Sequence, residues 1–534
     1  MTLPPPSHGP TGSWSPARNP VDGPVQAPIP PLRPGEPVRV YGPPLPPESG
    51  TDVLFGAFWP DRDVPVRPAL LAGAIVVGVL AAVLLPDHGV TSVAGLLVAA
   101  ALLLAPLTFA RNRRSPFTWA VGAIAAGLTS LLVLRAAGWL AALVVLALVP
   151  LVFSALSGAR TVRDIAVSAA LWPLSLLRAA PWAKRTVGTV RRLPIGWPVL
   201  RTLALCVAAL VVFGALFATG DAVFGSWVQA LLPRFDGDEL FGRAALAAVV
   251  TVLAVGIGYT AINPPGRVLG PTPFADRRAL KRFEWLAPLV VVIAMFAGFV
   301  AAQATTLWAG HDYVQRTAGV TYAESVHKGF GQLTVATLLA LVVVGLTWWA
   351  APRETRSDRL ALSVALGTLC ALALVVVASA LYRMHVYQQA YGFTVLRLVV
   401  DAFELWMGLL LILTALAVAL RAVAQLPRAA VCSAALVLFG LGVMNPEAWV
   451  AEHNVERFRG SGKVDVDYLA TLGPDARPAI AQLPPDLAQC AVRPRFSDDR
   501  SWLDWNLGRS RADAVTIESK RGTDACGDGR STTR

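Results

Sequence analysis

Residues 68–86 read PALLAGAIVVGVLAAVLLP, without a single charged side chain. At 1.5 Å per residue a helix over this stretch reaches about 30 Å, the thickness of a bilayer's hydrocarbon core. Blocks of the same kind recur near 90–110, 116–134, 138–157, 199–219, 243–262, 285–308, 330–350, 359–381, 395–420 and 428–445. The pattern predicts an all-α, polytopic transmembrane helix bundle of about eleven helices over 67–445.

Composition agrees. Hydrophobic residues make up 55% of the 534 and charged residues 15%, with a mean hydropathy of +0.56. Soluble domains carry roughly 25% charge, so a soluble enzyme or binding module is excluded. The net charge of +12 does not point to nucleic acid, because no basic stripe with interleaved aromatics lies on a polar segment. The basic residues instead sit between the apolar blocks, and the expected partner is the lipid bilayer.

Their distribution orients the chain. Loops after the even-numbered blocks hold about 20 Arg and Lys, among them Arg111, Arg191, Arg282, Arg353 and Arg428, against about six in the alternate loops. The positive-inside rule then puts the N-terminus in the cytoplasm and, after an odd number of crossings, the C-terminal segment outside. The basic stretch 161–192, interrupted by Pro173 and Pro181, is expected to lie at the inner interface.

Two flanks differ from the bundle. Residues 1–66 are Pro-rich and weakly charged, with no charged leader before an early apolar run, so they read as a disordered cytoplasmic tail without a cleavable signal. Residues 446–534 are polar and carry short helical signals, such as Pro446 after Asn445 and the stretch 501–514. They should form a small, partly helical extracytoplasmic unit resting on the bundle. Exported, that unit would hold two cysteines, Cys490 and Cys526, on the oxidising side, which makes a disulfide between them the candidate; two free thiols are the alternative. Cys206, Cys370 and Cys432 lie in apolar blocks and should behave as small core residues.

Ionisable residues inside a bilayer are costly and point to function or to a specific partner. Arg397, Asp401 and Glu404 fall on one face of the block 395–420. They fit either a compensated Arg397–Asp401 ion pair or a proton- or cation-handling carboxylate pair. The outer loops add Tyr322, Glu324, His311 and His327, then Tyr387 and Tyr391, then Asn445, Glu447, Glu452 and His453. No HExxH, GxSxG, phosphate loop or dinucleotide fingerprint is present, so neither a metal nor a cofactor is expected. Gly256-Ile257-Gly258 is read as helix packing.

Several strings stand out as a set: TYAESVHKGF at 321–330, YQQAYGFTVLR at 387–397, NPEA at 445–448, NVER at 454–457, DYL at 467–469 and WLDWNLGR at 502–509. Together they resemble a bacterial multi-pass membrane family known only as a domain of unknown function, of the forty-one seventy-three or forty-one fifty-three type. The resemblance covers about 100–515 and implies an inner-membrane protein with no assigned reaction. The chain departs from the family pattern at His327, where Arg is expected, and at Gln388, where an acid is expected.

Three functions follow as expectations. The first is a non-enzymatic cell-envelope component whose outer polar cluster engages an envelope protein. The second is a transporter of a small molecule through the carboxylate pair of the block 395–420. The third is an outer-leaflet transferase, suggested by Asp87-His88 in the first outer loop.

Overall fold

The computed structural model describes residue 59 and residues 64–170, 172–192, 237–265, 281–309, 322–492 and 501–515, with scattered positions between 198 and 217. Among the described residues there is no strand. The expected block at 199–219 and the tail before Trp59 fall outside them, apart from those scattered positions.

The bundle opens with α1 (Pro68–His88), which starts on a proline at its first turn and stops at Gly89, whose φ of 73° favours glycine. Next, α2 runs Val93–Ala99, widens through a π-helical turn at Ala100–Leu104 and resumes over Ala105–Phe109. Pro106 explains the widening, since it has no N–H to return to the carbonyl of Leu102. Then come α3 (Pro116–Leu134) and α4 (Gly138–Ser157), the latter ended by Gly158 in the left-handed region. The basic stretch forms two amphipathic helices, α5 (Val162–Ala170) and α6 (Trp172–Arg192). Their axes bend by 64° at the break.

The second half comprises α7 (Gly237–Ile262), α8 (Arg282–Ala309), α9 (Tyr322–Ala350), α10 (Arg356–Tyr391), α11 (Val395–Ala419) and α12 (Leu426–Met444). Among the described residues, nine helices are long and apolar enough to cross a membrane, while α2 is a shorter apolar helix. The difference from about eleven is α2 and the block at 199–219. Large apolar side chains also point outward, including Val79, Leu146, Met295 and Leu346. A bundle apolar on its outside as well as its inside is solvated by lipid rather than water.

Two cores form. One gathers Val121, Leu128, Val144 and Leu148 of α3 and α4 with Ile257 of α7 and Ala435 of α12. The other gathers Leu289, Val344, Leu369 and Leu411 of α8 to α11. Small residues set the close approaches. A Cβ on Gly78 would lie 2.6 Å from the Ala247 carbonyl of α7, and one on Gly256 would lie 2.6 Å from Leu176 of α6.

Loops sort into two ends. Arg428 donates to the carbonyls of Ala159 and Gly158, Arg111 N–H donates to Ala261, and Arg282 donates to Ser357. These are the loops after the even-numbered blocks, and they make one basic end. The opposite end is covered by residues 446–492 and 501–515: α13 (Pro446–Ser461), α14 (Val466–Thr471), α15 (Arg477–Ile480), α16 (Pro485–Cys490) and α17 (Leu507–Asp513). This cap has its own small core of Ala451, Val455, Leu469, Ile480 and Ala488.

The boundary of the N-terminal tail shifts. Trp59 is 1% exposed, its indole donates to the Asn263 carbonyl at 2.7 Å, and its own carbonyl accepts from Arg178 at 2.9 Å. Trp59 and Val64 therefore pack with α6 and α7, around Trp182 and Tyr259.

Candidate functional site

The candidate site lies where the cap meets the bundle. Positions that the sequence presents as wet loops are here buried and hydrogen-bonded across hundreds of residues.

Asn445 adopts a φ of 62°, so the chain turns sharply between α12 and α13, and Pro446 occupies the first turn of the new helix. Asn tolerates that conformation better than most side chains. The turn carries Glu447 inward, 5% exposed, where it accepts from the Trp139 indole at 3.0 Å and from Gly473 N–H at 2.9 Å. Asp475 is 3% exposed and accepts from the backbone N–H groups of Ala136 and Ala137, in the loop between α3 and α4. Burial raises the pKa of both carboxyls, against the lowering effect of these hydrogen bonds, and the charge of Asp475 raises that of Glu447 further.

The string WLDWNLGR supplies the clamp. Asn506, 1% exposed, donates to the carbonyls of Thr91, Leu132 and Arg135. Arg509 donates to Thr91 at 2.6 Å, and Asp504 meets His88 Nδ1 at 2.7 Å. Gly508 passes so close that a Cβ would sit 2.0 Å from Asp475 Oδ1. Arg135 in turn donates to the carbonyls of Gly442 and Val443, at the last turn of α12.

NVER and DYL hold the other flank. Asn454 Oδ1 accepts from Phe393 N–H at 3.0 Å, while its amide donates to the carbonyls of Phe393 and Val450. Arg457 donates to the carbonyls of Gln389 and Ala390, and the Tyr468 hydroxyl accepts from Val395 N–H at 2.7 Å. His453 stacks on Trp449 with ring centroids 3.8 Å apart.

Behind this junction lies the polar face of α11. The expected Arg397–Asp401 ion pair is not formed. Arg397 instead turns back, donating to the Gly392 carbonyl at 2.5 Å and lying 4.5 Å above the Tyr387 ring. The reason is local: α10 ends at Tyr391, and the unpaired carbonyl of Gly392 is a nearer acceptor than a carboxylate one turn on. Asp401 is served by Gln388, whose amide donates to Oδ2 at 2.7 Å. An acid at 388 would face Asp401 carboxyl to carboxyl, a repulsion that glutamine avoids. Glu404 is 0% exposed and accepts from the Thr334 hydroxyl of α9. Asp401 Oδ1 and Glu404 Oε2 are buried without a hydrogen-bond partner among the described residues.

Other expected residues distribute as follows. Tyr387 and Tyr391 belong to α10, which runs on past the expected end at 381, and their rings lie 4.8 Å apart. Tyr322 and Glu324 fall in the first turn of α9 with side chains outside the described residues, as are His311 and Asp312. Cys490 is disulfide-bonded and Cys206, Cys370 and Cys432 are free; Cys526 lies outside the described residues. Asp87 pairs with Arg243 at 2.6 Å, so the acid behind the transferase expectation is compensated. Among the described residues no three His, Cys, Asp or Glu side chains converge. Sequence reasoning missed Asp475, Asn506 and Arg135 as junction residues; the quoted string WLDWNLGR, which contains Asn506, was the signal that could have found it.

Fold and junction define a multi-pass membrane protein whose polar C-terminal segment is built into one end of the helical bundle. A family model described as a domain of unknown function, DUF4153, matches residues 122–483, more than half of the chain. The protein belongs to that family. No curated protein and no solved structure matches it.

Proposed function

We propose that this is a non-enzymatic component of the cell envelope whose cap end faces outward and binds an envelope partner. One observation carries the reading: polar residues of NVER and WLDWNLGR are spent on fixing the cap, while aromatic side chains remain on its surface. Asn454 and Asn506 are buried in the junction, whereas Trp502 is 70% and Trp505 46% exposed. Rigidly held, exposed aromatics are the usual anchors of a binding surface. The outward placement rests on the basic loops gathered at the other end.

Two experiments test it. A photo-crosslinking residue at Trp502 in living cells should give a discrete protein adduct that the same residue at lipid-facing Val79 does not. No adduct from any exposed cap position overturns the binding role. In intact cells, an impermeant thiol reagent should label Ser510→Cys and spare Ser115→Cys; the reverse pattern overturns the orientation.

A transporter reading is favoured by a different observation, the unpartnered oxygens of Asp401 and Glu404. Proton flux into liposomes carrying the purified protein, lost in Glu404→Gln, would establish it. Equal flux in protein-free liposomes would end it.

A further inference from the structure

At the basic end, α9, α10 and α11 surround an open cleft of about 420 Å³. Arg353 of the loop before α10, Arg356 and Arg359 of its first turn, and Arg421 just past the end of α11 line it. The remaining wall is apolar, formed by Trp348, Leu360 and Val418. That wall continues onto the lipid-facing surface, since Leu360 is 67% and Leu420 74% exposed. The nearest acid on α10, Asp358, is engaged locally, accepting from the Thr355 hydroxyl at 2.6 Å as part of the helix cap. Four cations thus line a half-apolar cleft, with Arg359 also donating to the backbone carbonyls of Arg353 and Glu354.

Arg421 gives an independent pointer. It stands at the residue after the cap of α11 with a φ of 57°. Arg421 N–H donates to Val418 and Ala422 N–H to Ala417, the paired bonds of a helix ending that glycine normally provides. A side chain at this position strains the backbone, and strain of this kind concentrates at ligand sites. Arginine here costs stability and yields a guanidinium aimed into the cleft.

We infer that this cleft binds the phosphate headgroup of an anionic phospholipid of the adjoining leaflet, with the acyl chains along Leu360 and Leu420. Arginine matches phosphate oxygens bidentately, and a guanidinium cluster at the headgroup level attracts anionic lipid. The site lies at the opposite end from the cap and does not depend on any role of the cap.

Arg421→Gly separates binding from folding, because glycine relieves the strain and leaves the helix ending intact. Purified protein in detergent is offered equal amounts of phosphatidylglycerol and phosphatidylcholine with the same chains, and retained lipid is read by native mass spectrometry. The wild type should prefer phosphatidylglycerol, and Arg421→Gly and Arg356→Gln should each lower that preference by about fivefold. Arg421→Gly should unfold at the same or a higher temperature than wild type. Arg113→Gln, at the same end but outside the cleft, should keep the preference. Equal retention of the two lipids, an unchanged preference in Arg421→Gly, or an equal loss in Arg113→Gln overturns the site. Displacement of phosphatidylglycerol by millimolar inorganic phosphate overturns its assignment to lipid.

Discussion

The carboxylate of Asp475 accepts the backbone N–H of Ala136 at 2.6 Å although 339 positions separate them. Its second oxygen has no partner among the described residues. Burial raises this carboxyl and that of Glu447, so the docked cap holds their protons more tightly than the undocked cap does. By linkage, that part of the docking energy is fully present below the ordinary carboxylate range and is lost as pH rises through the raised values. Limited proteolysis should therefore cut the cap faster at neutral than at mildly acidic pH. Cleavage that slows as pH rises, after correction for the protease's own profile, contradicts this.

Replacing Asn506 with Leu keeps the bulk and removes the donor to three carbonyls. Unpaired buried acceptors cost about 1–3 kcal/mol each at most, with partial relief where water enters. The variant should lose about 2–3 kcal/mol of cap stability, read as a lower temperature for protease susceptibility. A wild-type profile would show that the clamp is not limiting.

Arg397 and Asp401 are expected to act independently. Arg397→Leu and Asp401→Asn should combine additively to within about 0.5 kcal/mol in thermal unfolding. Gln388→Leu and Asp401→Asn should not, because Gln388 and Asp401 share a hydrogen bond. Coupling in the first pair and none in the second would reverse the assignment.

The proposed partner of Cys490 is Cys526, supported by a bonded Cys490 beside three free thiols. The bond would close a loop of about 36 residues and add roughly 3–4 kcal/mol in the chain-entropy model. A linked peptide should appear in non-reducing mass spectrometry of fresh membranes. Alkylation of both residues without prior reduction rules it out.

Much of the membrane part was legible because each span is a local signal. The blocks at 116–134 and 138–157 reappear as α3 and α4 with the same bounds. Where hydropathy falls but the helix continues, legibility fails. The block 359–381 becomes α10, Arg356–Tyr391, because nothing breaks the helix before Gly392 with its φ of 88°. Partner choice was least legible. Arg397 and Asp401 are one turn apart, which suggests a pair, yet each finds another partner through the ends of α10. The three carbonyls held by Asn506 lie more than 370 residues upstream, where no periodicity reaches.

The grip of Asn506 and Arg509 on Thr91 also sets an order of events during synthesis. Thr91 joins α1 and α2, and its restraint comes from residues translated some 415 positions later. The hairpin of α1 and α2 therefore waits in the membrane, with its turn unsecured, until residues 506–509 have been made. A chain that stops before residue 506 would be fully inserted yet permanently unlatched, a defect that a membrane protease can recognise without inspecting any of the spans.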